Sequence, residues 1–127
     1  MSARTAQFGI AAVFLILGGW ALLAPVHVIE VAMKPEYSEN TFVTRFILAC
    51  FGAQAVLFGL MALIVRWSAR AFLAFAALLL PFFVFNWYFH YELPVLTSIG
   101  MLDFLGNVIM LALALWGWHA ARKEAAQ

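Results

Sequence analysis

Charge is what this sequence has least of. Its 127 residues include 7 lysines and arginines and 6 aspartates and glutamates, 10% of the chain, where ordinary soluble domains carry roughly a quarter. So few charges cannot cover a water-facing surface, and with no basic cluster among them a nucleic-acid partner is not expected. Cysteine is nearly absent too. The single Cys50 has nothing in the chain to pair with, which excludes an internal disulfide framework, and its place inside an apolar run reads as a buried, inert thiol. No small-x-small cleavage site closes the apolar stretch from Phe8 to Val26, so that stretch reads as a retained anchor rather than a signal peptide.

What the chain has instead is hydrophobicity, at 67% of residues and a mean hydropathy of +1.01. It comes in uncharged runs near the ~20 residues that cross a hydrocarbon core. Four spans follow, at about 7–24, 42–65, 71–89 and 95–118. Pro25 closes the first, Thr41 offers an N-cap to the second, and Pro81 is expected to kink the third. Residues 25–40 read as an interfacial loop with a short helix at its start. Residues 66–70 and 90–94 are tight connections. The expected fold is therefore all-α: a single transmembrane four-helix bundle, antiparallel, up-down-up-down.

Charge placement orients it. Arg4, Arg66, Arg70, Arg122 and Lys123 share one side, while Lys34 and Arg45 belong to the other. By the positive-inside rule the first group, and with it both termini, is cytoplasmic. Trp67, Trp116 and Trp118 would form the inner aromatic belt and Trp87, Tyr88 and Tyr91 the outer one. The outer connections share a faint pattern, a histidine followed by a glutamate near a proline: His27 and Glu30, then His90 and Glu92.

Helices associate in lipid through small residues and a few polar groups. Span four carries Gly100, Asp103, Gly106, Asn107, Met110, Ala114 and Gly117 at steps of three or four; span two carries Arg45, Ala49, Gly52, Val56 and Gly59. Both stripes should face protein. Arg45 and Asp103 lie ~5 and ~9 Å below the outer boundary at ~1.5 Å per residue, so an ion pair between them is expected, with Asn107 assisting. Asn86 and His90, four apart on span three, are expected beside it. The candidate site is this cluster of Arg45, Asn86, His90, Asp103 and Asn107, with His27, Glu30 and Glu92 above it. Such a cluster serves either to fix helix register or to bind and exchange protons.

Narrower chemistries fit less well. Metal ligands are available in His27, Glu30, His90, Glu92 and Asp103, and a haem between His27 and His90 is geometrically allowed, but no Glu-x-x-His repeat of a di-iron bundle occurs. No cofactor and no metal are expected. Transport lacks a charged element at mid-membrane, where Gln54 is the central polar side chain. His119 reads as a headgroup contact.

The segment GGWALLAP closing span one, followed after a loop by FGAQAVLFGL in span two, resembles the small four-span bacterial proteins of the DoxX-like group. The resemblance implies a bacterial inner-membrane location and a role accessory to a larger system. The leading expectation is an accessory or structural membrane subunit that packs against other membrane proteins or itself through Gly52, Gly59, Gly100 and Gly106, amid membrane lipids. The alternative is a small membrane enzyme or lipophile-binding protein for a quinone, sterol, carotenoid or lipid. It would use Asp103 and His90 as acid and base, with Arg45 holding a polar ligand end, and it requires a cavity in the outer half.

Overall fold

A computed structural model of the protein describes residues 2–126. It contains five α-helices: α1 (Ala3–Leu23), α2 (Pro25–Ala32), α3 (Phe42–Ile64), α4 (Ala69–Trp87) and α5 (Leu102–Glu124). The four long ones are apolar and long enough to cross a bilayer. They pack as a bundle. Three of them begin on a hydroxyl cap that accepts an orphan backbone N–H, Ser2 from Thr5, Thr41 from Thr44 and Ser68 from Ala71. Pro25, which has no N–H to donate, separates α1 from α2 and opens the latter.

Ser2, the turn at 65–68 and Glu124 lie together on one side, termed terminal; α2 and residues 88–101 lie on the other, termed distal. The Ala3 N–H donates to Glu124 Oε1 at 3.0 Å. Arg4 donates to the carbonyls of Leu63 and Val65. Gln7, only 1% exposed, donates to the carbonyls of Ala62 and Val65 and accepts the Trp67 N–H at 3.1 Å. The last carbonyls of α3 have no helical partner of their own, and α1 supplies one.

Helix order around the bundle is α3, α1, α5, α4. α1 packs along both α3 and α5, and α4 along α5, whereas α3 shares no extended interface with α4 or α5. Span one is thus the hub of the bundle and more than an anchor: it is the most buried of the four spans and α3 the least, 33% against 17% of the most apolar 18-residue stretch. The terminal half is filled by Ala6, Ile10, Phe72, Ala76 and Ala114 among others. Phe14, Phe58, Trp67 and Phe75 close the gap between α3 and α4 there, with Phe58 and Phe75 stacked at 5.9 Å.

Two boundaries differ from the sequence expectation. α4, which contains Pro81, runs on at its end into a π-helical turn, Tyr88–Glu92, in which the Leu93 N–H reaches back to Tyr88. The fourth span begins at Leu102 rather than near Val95, because residues 95–97 run extended beside the end of α2. Lys34 N–H donates to Val95 O at 2.9 Å and Thr97 N–H to Ala32 O at 3.0 Å. The Thr97 hydroxyl donates to Val31 O and accepts the Gly100 N–H. A backbone satisfied in this way gains nothing by joining the helix.

Candidate functional site

The glycines of the stripes on spans two and four face protein, but the two stripes do not face each other: that of span two packs on α1, and that of span four meets α1, α2 and α4 along its length, while Arg45 and Asp103 are exposed. On α3, Gly52 lies against the backbone of Gly18 and Ala21, and Gly59 against Leu15 and Ala11. On α5, Gly106 meets Val13 and Leu17, and Gly117 meets Phe72; Gly100, just before α5, meets Ala32. All of these glycines are consumed within the chain, so they offer no face to another protein.

The expected Arg45–Asp103 ion pair does not form. The two residues stand on helices separated by α1, and no ion pair joins them among the described residues. Arg45 is exposed and turns back within its own first turn, Nε donating to Thr41 O at 3.2 Å. Because α5 starts at Leu102, Asp103 lies in its first turn, where the helix dipole favours an acid. Its partners are amides. Asn86 Nδ2 and Asn107 Nδ2 each donate to Asp103 Oδ2 at 3.1 Å, and Asn86 Nδ2 also reaches Phe82 O at 2.9 Å. Both asparagines are buried, at 1% and 3% exposure. Three of the five expected residues therefore converge.

His90 is not a member of this triad. It sits in the π-helical turn with its ring edge-on to Tyr91, and its buried Nδ1 has no partner. No hydrogen bond joins it to Asp103, so the acid–base pairing of the two is not built. His27 is exposed, accepting the Trp20 indole N–H on Nδ1 at 3.1 Å. Glu30 and Glu92 are exposed as well. Among the described residues, no three His, Cys, Asp or Glu side chains come together as metal ligands. Cys50, expected to be buried, is exposed on the outward side of α3.

Asn86 and Asp103 of the triad line a cavity of about 570 Å³ in the distal half, a size typical of small-molecule sites. Its back wall is α1 at Leu17, Trp20 and Ala21; its roof is α2 at Ile29 and Ala32 with Leu96 and Gly100. Leu48 and Phe51 of α3 face Pro81, Phe82 and Phe85 of α4 across the gap those helices leave open. Asn86 and Asp103 are the polar side chains with hydrogen-bonding oxygens in an otherwise apolar lining. Asn86 Oδ1 is buried with no donor, and the donors to Asp103 both use Oδ2. The lining thus includes Asn86, whose buried Oδ1 has no donor, beside the exposed carboxylate of Asp103.

Sequence reasoning found Asn86, Asp103 and Asn107 but missed Gln7, whose role needs the α3 terminus beside it, and missed the roof. A signal for the hub did exist: Ala3, Gln7, Ile10, Ala11, Gly18 and Ala21 recur at helical spacing and are all buried. No protein-family model, curated protein or solved structure matches the chain.

Proposed function

We propose that the protein is a lipophile-binding membrane protein whose distal-half cavity takes an apolar molecule ending in a hydrogen-bond donor, a hydroxyl above all. The observation that carries this reading is Asn86 and Asp103 together in the lining of an apolar cavity, Asn86 Oδ1 buried without a donor and Asp103 Oδ1 outside the hydrogen bonds its two amide neighbours make. A buried acceptor costs free energy until a donor meets it, and the Asp103 carboxylate accepts from a donor beside it, so a ligand that brings one is favoured over isosteres that do not. Among lipophiles this selects a hydroquinone, a sterol-type alcohol or a hydroxylated lipid. A quinone or a hydrocarbon carotenoid brings no donor. The gap between α3 and α4 faces the position of the hydrocarbon, which supplies an entry path for a ligand dissolved in lipid. The charge asymmetry and the DoxX-like segments support a bacterial inner membrane with both termini in the cytoplasm, which puts the cavity in the outer leaflet.

The test is binding of a long-chain hydroquinone and of its dimethyl ether to the protein in nanodiscs, alongside mass spectrometry of lipids retained through purification. The hydroquinone should bind at least about fivefold more tightly, since a lost hydrogen bond to a buried partner is worth ~1–3 kcal/mol. Equal binding of the two compounds, or retention of bulk phospholipid only, would overturn the proposal.

A further inference from the structure

α3 has a second face that the chain leaves uncovered. Its inward line runs through Gly52 and Gly59, seven residues apart and packed on α1. On the opposite side Ile47, Cys50, Gln54, Leu57, Met61 and Ile64 repeat at alternating steps of three and four, and every one is exposed. This is the a/d spacing of a left-handed helix pair, with glutamine at one a position.

Gln54 makes the face more than a lipid-facing surface. It lies ~18 Å from the start of α3 and ~15 Å from its end at ~1.5 Å per residue, hence near the middle of the span. Among the described residues it is the one amide side chain exposed in the middle of a span, with no hydrogen-bond partner in the chain. Hydrocarbon offers it none either, and a polar side chain in that position is satisfied by a neighbouring helix. The corresponding exposed faces of α4 and α5 present Leu73, Leu78, Val84, Leu105, Val108 and Ile109, which have no such need.

We infer that α3 is the interface of a parallel homodimer in which Gln54 of each copy pairs with Gln54 of the other. Two copies inserted in the same direction are related by an axis along the membrane normal, so like residues meet across it. A carboxamide both donates and accepts, and two of them facing each other satisfy one another reciprocally. A second copy of this chain is therefore the partner that matches the face at every seam position. In this arrangement Cys50, one turn from Gln54 on the same seam, faces its own counterpart.

The native cysteine reads the interface directly. In liposomes at low protein-to-lipid ratio, copper-phenanthroline should oxidise the two Cys50 thiols to an intermolecular disulfide, seen as a dimer on a non-reducing gel. Gln54→Leu should weaken dimerisation roughly three- to fifteen-fold, the range found for interhelical hydrogen bonds in membranes, read as the change in the dissociation constant from single-molecule photobleaching. Moving the thiol to α4 as Cys50→Ser with Ala74→Cys should abolish the crosslink while dimerisation persists. Single-step bleaching of the wild type, no crosslink from a thiol that still reacts with maleimide, equal crosslinking from position 74, or dimerisation unaffected by Gln54→Leu would each overturn the inference.

Discussion

Gly18 and Gly52 bring α1 and α3 into backbone contact: a Cβ placed on Gly52 would stand 2.7 Å from the Gly18 carbonyl oxygen, closer than atoms of this kind approach. The obstructing atoms are main chain, which no rotamer change moves aside. Close approach of this sort is how small residues stabilise helix pairs in lipid, by dispersion contact in place of a hydrophobic driving force.

Gly52→Ala should accordingly push α3 away from α1 and cost about 1–3 kcal/mol, the usual range for overpacking a fitted contact. Thermal unfolding in detergent measures it. Ala53→Val, one residue along on the exposed side, should change stability little; equal effects of the two would show that the contact is not where the helices are fitted.

Gln7→Leu removes the acceptor of the Trp67 N–H and both side-chain donations to the end of α3. At ~1–3 kcal/mol for a buried group left without its partner, the loss should be on the order of 3 kcal/mol. The 65–68 turn should become a faster site of limited proteolysis, and a variant as resistant as the wild type would show that α1 does not hold the turn.

Asp103→Leu deprives two buried amides of their common acceptor and should destabilise the fold by about 2 kcal/mol or more. Arg45→Gln should fall within ~0.5 kcal/mol, as exposed substitutions do. Combined, the two should add to within ~0.5 kcal/mol, since residues without shared partners do not couple. A coupling well above that in a double-mutant cycle would restore the ion pair that the helix order denies.

Ile99→Trp tests the cavity without touching its polar wall. Ile99 lines the space yet is 46% exposed, so a larger ring can enter at little cost to packing. Hydroquinone affinity should drop at least about tenfold, which corresponds to ~1.4 kcal/mol, with the unfolding temperature unchanged. Unchanged affinity would place the ligand elsewhere.

Hydropathy and residue spacing were enough to locate the four spans, the Thr41 cap and the faces of spans two and four that touch protein, because these are local properties: a run of apolar residues, a hydroxyl before a helix, a period near 3.6. Neighbour relations are not local. That α1 lies between α3 and α5, leaving Arg45 without Asp103, follows from how whole faces fit, and residues of the right charge at the right depth do not reveal it. The start of α5 at Leu102 depends on residues 95–97 finding backbone partners at the end of α2, more than sixty positions earlier. The cavity exists because α3 and α4, joined by a short turn, close on aromatics at one end and not at the other, an outcome decided by tertiary packing alone.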